Sequence, residues 1–384
     1  MSPTASPEND RPAFFLVSLP GLEDLVAAEL ADWFPDFEAQ KEHGGVTVRA
    51  PLADGLAMNL ALKTPTRILL RVANFRCRDF PKLFNTVKSI PWREWVDPAC
   101  ELEVHVSTRL SRLKIKKRIE ETCEDAWMEY REEQGKKAVR GRKAALYVRF
   151  LNDECMLSLD TSGERLHKRG LRMHIGEAPL RETIAASLLQ LVARHHGGEG
   201  AANIEIVDPM MGSGTFLLEA EGRGRVTDQR DFAFDTFATK PTATPTLKVQ
   251  LPPLARLIGF EHDAKTFQAA QANLQAMRAQ TPVDLRAEDI FTAEPLPPTS
   301  NPRWLFANPP YGERLRVKEP LPQYYARLFA AAERVAHPDR ACFLLPSKAV
   351  KGRFELPRGW KVLEKRPFVN GGIPVVAFVF GRSS

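Results

Sequence analysis

From Phe14 onward the chain alternates short apolar runs with amphipathic stretches, and the period of each stretch predicts its form. Phe14-Phe15-Leu16-Val17 reads as a strand, and after Pro20-Gly21 the residues Leu22, Leu25, Val26, Leu30 and Trp33 recur at helical spacing. Gly44-Gly45 punctuates a return strand, Val46-Thr47-Val48, followed by a helix near 53–62 and a long strand near 66–76. From about 80 to 160 the pattern continues as helix, strand (ELEVHVST), a helix with Ile119, Cys123, Trp127 and Tyr130 on one stripe, and two strands joined at Asn152-Asp153. This is α+β patterning. After a polar connector at 161–180 comes an amphipathic helix striped by Ile184, Leu188, Leu191 and Val192, and then the rhythm changes. Strands are predicted at Ile204–Val207, Leu257–Phe260, Val283–Ala287, Trp304–Ala307, Ala341–Leu345 and Val375–Phe380, with helices at 215–221, 264–279 and 322–336 between them. Such alternation predicts a parallel sheet covered on both faces. The proline- and threonine-rich stretch 223–254 interrupts it and reads as a surface loop or lid. Residues 1–12, polar and proline-rich, read as a disordered tail.

Length and composition narrow the classes. A chain of 384 residues carries a prior of about two to three domains. Its 43% hydrophobic and 27% charged residues are ordinary for a water-soluble globular protein. Five widely spaced cysteines without a CxxC pair favour reduced thiols in the cytoplasm over a disulfide frame. No apolar run reaches the roughly 18 residues that span a bilayer, so no membrane partner is expected. The only adjacent histidines, His195-His196, have no cysteine or carboxylate at ligand spacing and read as a helix C-terminal cation site; no metal is expected. The net charge of +6 is mild, but its distribution is not. One run holds Arg109, Arg112, Lys114, Lys116, Lys117 and Arg118; a second holds Lys136, Lys137, Arg140, Arg142 and Lys143; a third includes Arg165, Lys168 and Arg169. Three clusters in so short a span predict a concentrated positive surface for the phosphate backbone of a nucleic acid. No base-reading aromatic motif or zinc spacing accompanies them, so base choice falls to a separate pocket.

That pocket is predicted at the carboxyl ends of four consecutive strands, where open α/β sheets bind ligands. The first strand runs into Asp208-Pro209-Met210-Met211-Gly212-Ser213-Gly214-Thr215, whose glycines let the backbone approach a ligand closely. The turn is neither the GxGxxG fingerprint nor a phosphate loop. The second strand ends in Gly259-Phe260-Glu261-His262-Asp263, which offers a carboxylate to a ribose diol, and the third ends near Asp289-Ile290, an acceptor beside an apolar residue that suits an adenine ring. The fourth ends in Asn308-Pro309-Pro310-Tyr311. There the Asn308 oxygen and the Pro309 carbonyl supply two acceptors beside the Tyr311 ring, an arrangement suited to a flat heterocycle bearing an amino group.

In this order DPMMGSGTF, GFEHD, EDI and NPPYGERL resemble the class I S-adenosylmethionine-dependent methyltransferases that modify exocyclic amines. More closely, the chain from Phe14 to Gly381 resembles the THUMP-domain RNA guanine methyltransferases of bacteria that modify the guanine 2-amino group in large-subunit (23S) rRNA. PGLEDLVAAEL, the LSLDTSGERLHKRGLR-to-GEAPLRE junction, DPMMGSGTFLLEA, RDFAFDTF, NPPYGERL and FVNGG carry that resemblance. It implies an α/β architecture: a ferredoxin-like domain over 13–65, an RNA-binding THUMP domain over 66–165, and a Rossmann-like methyltransferase domain over 166–384. It also implies that S-adenosyl-L-methionine is the cofactor and that the Glu177–Glu182 stretch, with Pro179 and Leu180, lies beside it. Two positions depart from the pattern: Met211 stands where cysteine is common, and Glu261 replaces the more frequent aspartate. The chain lacks the second methyltransferase domain that some relatives carry, so a single modification is expected. The expected partner is RNA, and the expected state is a monomer or homodimer. Alternatives are a tRNA guanine-N2 methyltransferase, a DNA adenine-N6 methyltransferase, and a non-catalytic RNA-binding assembly factor.

Overall fold

The computed structural model describes residues 11–169, 180–195, 203–312, 319–350 and 356–383. The chain divides into two units: residues 1–18, 30–166 and 226–246 form the first, and residues 19–29, 167–225 and 247–384 the second. The tail expected at 1–12 lies outside the described residues except for its last two.

The first unit is a seven-stranded sheet in the order β2-β3-β1-β4-β7-β6-β5. Its elements are β1 (Ala13–Val17), α1 (Glu23–Trp33), β2 (Ala39–Glu42), β3 (Gly45–Arg49), α2 (Leu52–Ala61), β4 (Arg67–Arg76), α3 (Phe80–Ser89), β5 (Glu101–Arg109), α4 (Lys116–Glu133), β6 (Lys143–Leu151) and β7 (Glu154–Asp160). Helix α1 begins in residues assigned to the second unit and ends in the first. Strand β4 pairs with β1 on one side and β7 on the other, so the sheet runs unbroken past residue 65, where a domain boundary was expected. The polar residues that continue the sheet there are satisfied internally. Buried Asn59 donates to Thr161 Oγ1 at 2.9 Å and accepts from Ser162 Oγ at 2.6 Å, tying α2 to the end of β7. All neighbours are antiparallel except β5 and β6, which need α4 as their crossover. That helix buries the predicted stripe, and Trp127 meets Trp92 edge to face at 5.2 Å.

The stretch 223–254, expected as a surface loop or lid, is irregular and largely exposed over 238–250, but its aromatic part is packed. Residues 226–246 belong to the first unit, where Phe232, Phe234 and Phe237 are buried and Phe237 bridges to Val96. The Arg230 guanidinium donates to the carbonyls of Ser162, Glu164 and Arg165. Proline-rich composition signalled irregular backbone correctly, but three aromatic rings in a short span need burial, and that decides against a free loop.

The second unit holds α5 (Glu182–Ala193), β8 (Ile204–Asp208), α6 (Thr215–Glu221), β9 (Leu254–Phe260), α7 (Ala264–Ala276), β10 (Val283–Arg286), β11 (Arg303–Ala307), α8 (Leu321–Ala336), β12 (Arg340–Pro346), β13 (Trp360–Asn370) and β14 (Ile373–Arg382). Its sheet order is β10-β9-β8-β11-β12-β14-β13; the first five strands are parallel and the β13–β14 hairpin is antiparallel, a Rossmann-like arrangement. The sequence pattern does not predict the hairpin's first strand, because Trp360–Asn370 mixes charged and apolar residues without regular alternation and sits at the sheet edge. Period-two alternation sends Ile206, Leu257, Trp304, Phe306 and Leu344 to one core with α5, α6 and α7. It sends Val207, Ile258, Leu305, Phe343 and Leu345 to the other with α8. Both faces are therefore covered, as the strand–helix alternation predicts. Strand order reverses between β8 and β11, and this switch point positions the site.

Candidate active site

Strands β8 and β11 lie side by side with Leu305 level with Val207, so Asp208 and Asn308 open their loops at the same sheet edge. Asp208 is level with Gly259 of β9, which brings Glu261 to that edge as well. The glycine turn is held by backbone donors. Met210 N–H donates to Asp208 Oδ1 at 3.1 Å, Gly212 N–H to Glu261 Oε2 at 3.1 Å, and Asp263 N–H to Glu261 Oε1 at 2.9 Å. Glutamate in place of aspartate thus reaches across to the first loop and clamps it. Gly212 and Gly214 both have positive φ, 55° and 87°, and a Cβ at Gly212 would meet nothing within 4 Å. The backbone there faces open space, as a ligand cradle requires. Burial pushes the Asp208 carboxyl up to about 8; the Met210 N–H opposes this and the Glu261 charge adds to it.

Other predicted cofactor residues are placed differently. Pro209, Ser213 and Thr215 are buried, and the Ser213 carbonyl accepts from Asn273 Nδ2 at 3.1 Å, so this stretch presents backbone rather than side chains. His262 is largely exposed, 3.5 Å from Glu261 Oε1. Leu180 packs into the core beside α5, and Pro179 lies outside the described residues. Asp289 is exposed and its carboxylate accepts the Phe291 N–H at 3.0 Å. Ile290 does not offer an apolar face to a ligand: it is 2% exposed and packs in the α8 core. The half-exposed ring of that turn is Phe291, with the Arg327 guanidinium 3.9 Å from its centroid. The turn bends so that the Asp289 carboxylate caps it, which swings the next side chain inward and the one after outward.

In the Asn-Pro-Pro-Tyr loop the amide and the ring are joined, not held apart. Tyr311 donates its hydroxyl to Asn308 Oδ1 at 2.8 Å, and its ring packs against the α5-side core. Burial pushes the Tyr311 phenol up to about 12, opposed by Asn370 at the end of β13. Tyr325, fully buried on α8, donates its hydroxyl to the Pro310 carbonyl at 2.9 Å and so fixes the loop from beneath. Burial raises its phenol further still, with Tyr311 contributing.

Sequence reasoning missed Tyr325, Asn273 and Gly259. A Cβ on Gly259 would stand 2.3 Å from Met211 Sδ, so the strand glycine is what admits a methionine in the loop. Asn273, an amide between the apolar positions Ala270 and Leu274 of α7, was the one legible signal among them.

The first two basic clusters stand at opposite ends of the β5–β6 pair. In the parallel β5–β6 register Glu101 is level with Lys143 and Arg109 with Leu151. The run from Arg109 to Arg118 therefore starts at one end of these strands, and the run from Lys136 to Lys143 stands at the other, about 27 Å away at the usual strand rise. Lys136, Lys137 and Arg140 are exposed, Arg142 pairs with Asp97 at 2.8 Å, and Lys143 lies 3.6 Å from Glu103. Within the first run Lys114, Lys116 and Lys117 are exposed and Arg118 stacks over Phe80 at 4.2 Å. Arg165 and Lys168 are exposed, but Arg169 is not an RNA contact: it is 3% exposed, with Nε 3.0 Å from Glu219 on α6. Its charge is neutralised inside the second unit, and leaving that pair would strand Glu219 in the core.

A doubly wound sheet with a glycine turn, two carboxylates and an Asn-Pro-Pro-Tyr loop at its switch point defines a methyltransferase of the Rossmann-like class. The chain belongs to the RMKL-like methyltransferase domain family, which it matches over residues 169–373, and residues 13–69 match the RlmL ferredoxin-like domain. Among curated relatives, YpsC of Bacillus subtilis, named as a candidate RNA methyltransferase, is 27% identical over 92% of this chain and 91% of its own. The ribosomal RNA large subunit methyltransferase K/L of Syntrophotalea carbinolica is 27% identical over 83% of this chain and 47% of its own, so the chain spans about half the length of that relative. The crystal structure of SMU.472, a candidate methyltransferase complexed with SAH, superimposes with a TM-score of 0.79 at 23% identity, covering 98% of this chain and 99% of that one. TrmN from Thermus thermophilus gives 0.70 at 20% identity, covering 97% and 100%. These two likenesses concern the fold. Among the described residues no group of three or more His, Cys, Asp and Glu side chains could hold a metal, and no helix is long and apolar enough to cross a membrane.

Proposed function

We propose that this protein uses S-adenosyl-L-methionine to methylate the exocyclic 2-amino group of a guanine in 23S rRNA, acting in the cytoplasm. The observation that carries the reading is the Asn308–Tyr311 loop, pinned by Tyr325 and opening beside the glycine turn. The residues present fit the cofactor: Gly212 leaves open space over its backbone, Glu261 stands at the end of β9 for a diol, and the buried Asp208 carboxyl suits a cationic group. When bound, the cofactor supplies an electrophilic methyl group. The rest is the work of the chain. A guanine 2-amino nitrogen is a weak nucleophile because its lone pair is delocalised into the ring. Asn308 Oδ1 receives one hydrogen bond from Tyr311 and keeps a lone pair for a substrate N–H. With the Pro309 carbonyl as second acceptor, both amine hydrogens are held and the nitrogen lone pair is free to point at the methyl carbon. Acceptors so placed also stabilise positive charge growing on nitrogen, a gain made mainly in the transition state.

The residues between 66 and 165 are proposed as the THUMP domain that binds the RNA, with the Arg109–Arg118 run as its main phosphate contact. The names of the K/L relatives favour rRNA over tRNA as substrate. The test is methyl transfer from labelled cofactor to purified rRNA and tRNA, followed by nucleoside analysis. 2-Methylguanosine in rRNA is expected, and Asn308→Ala is expected to abolish it with RNA affinity intact. Methyladenosine, a tRNA product alone, or turnover by Asn308→Ala would each overturn the reading.

A further inference from the structure

The loop between β5 and α4 combines three features that packing does not explain. Leu110 is 73% exposed and Ile115 58% exposed, although Leu113 between them is buried. Leu110 also adopts φ = 52°, a left-handed conformation that L side chains take at a cost and glycine takes freely. The loop is nevertheless held tightly. Asp153 accepts the Arg112 N–H and the Arg78 Nε–H, each at 2.7 Å, and its own N–H donates to Ser111 Oγ at 3.0 Å. Thr108 Oγ1 donates to the Leu113 carbonyl at 2.7 Å, and Asn152 N–H to that of Arg109 at 3.3 Å. An apolar side chain is thus displayed to water, on strained backbone, by a scaffold built to keep it there. Leu151, level with Arg109 and 37% exposed, adds a third apolar side chain at the same end. Exposed Arg109, Arg112, Lys114 and Lys116 flank them along the chain, and at the same end of the sheet exposed Arg76 is level with Glu154, the strand neighbour of Leu151.

We infer that this tip receives unpaired bases of RNA, with Leu110 and Ile115 against base faces and the surrounding cations on the flanking phosphates. The inference rests on the RNA-binding reading above and specifies which part of the RNA is bound. Cations bind the backbone of any RNA, but apolar side chains gain only against base faces, which a duplex hides and a single-stranded end or loop presents. The cationic surround selects a polyanion rather than an apolar protein face.

The test uses the full chain and two fluorescent RNA hairpins, one with a single-stranded tail and one blunt. The wild type is expected to prefer the tailed hairpin. Leu110→Ser with Ile115→Ser should weaken binding to that probe by about tenfold, leaving the blunt hairpin and the salt slope unchanged. Leu110→Gly should weaken the tailed hairpin too while keeping or raising the melting temperature, an outcome that a merely structural leucine would not give. Equal wild-type affinity for both hairpins, equal losses on both probes, or variants that bind like wild type would overturn the inference. So would loss of binding to phosphatidylglycerol vesicles with RNA binding intact. A wild type that binds neither hairpin would overturn the RNA reading itself.

Discussion

Tyr325→Phe separates loop placement from general stability. The substitution keeps the ring, which is fully buried on α8, and deletes only the hydroxyl that donates to the Pro310 carbonyl at 2.9 Å. A partly buried carbonyl that loses its donor costs about 1–2 kcal/mol. For a unit of this size that lowers the melting temperature by roughly 2–8 °C. If the same energy appears as a poorer loop geometry at the moment of transfer, each 1.4 kcal/mol is tenfold in rate, so kcat falls by about five- to thirtyfold. The acceptor atoms move, not the binding surfaces, so the Kd values for cofactor and RNA should stay as in the wild type. Single-turnover methyl transfer and thermal melting on the same preparations measure both quantities. Val335→Ala is the control: Val335 is fully buried farther along the same helix, and losing its methyl groups costs about 1–2 kcal/mol without touching the loop. The two variants should melt alike and differ in kcat. If Tyr325→Phe melts lower but turns over like wild type, Tyr325 is only a core residue and the pinning argument is refuted.

Two further outcomes are expected. Tyr311→Phe frees the Asn308 oxygen that Tyr311 now occupies, so it should transfer methyl at least as fast as wild type, whereas Tyr311→Ala should lose a stacking contribution of about 1–3 kcal/mol; equal inactivity of both would make the hydroxyl essential. Asp208 should make stability depend on pH. Its folded value lies near 8 and its ordinary value at 3.8, so between these the folded protein keeps a proton that the unfolded chain has lost. Wild-type stability therefore falls as pH rises through that window, by up to about 1.4 kcal/mol per unit, and levels off above it. Asp208→Asn removes this slope, and urea titrations of both proteins from pH 4 to 8 should diverge with rising pH. Parallel curves would show that Asp208 ionises freely.

Much of the architecture was legible because burial on one face is a local property of the chain. Ile204–Asp208, Arg303–Ala307 and Arg340–Pro346 are apolar runs buried on both faces, and each announced a central parallel strand. The loop chemistry is legible too, since Asp208 ends such a run and Glu261 and Asn308 directly follow one. What sequence could not show is the partner of each polar group, because a partner is chosen by packing and not by spacing. The sequence sets the Asn308 oxygen as an acceptor beside the Tyr311 ring, and in the fold the two satisfy each other across three residues of a rigid turn.

Arg169 makes the same point with charge. Inside the basic stretch that begins at Arg165 it looked like one more phosphate ligand, and its neighbour Lys168 is indeed exposed. Its side chain instead meets Glu219, fifty positions away, on the short helix that follows the glycine turn. Glu219 sits among Phe216, Leu217, Leu218 and Ala220, all buried, so a lone carboxylate there would be costly without a cation. The requirement therefore originates in the helix, and the basic stretch supplies what it needs. A charge run measures how many cations are available; the buried acids elsewhere in the fold decide how many of them reach solvent.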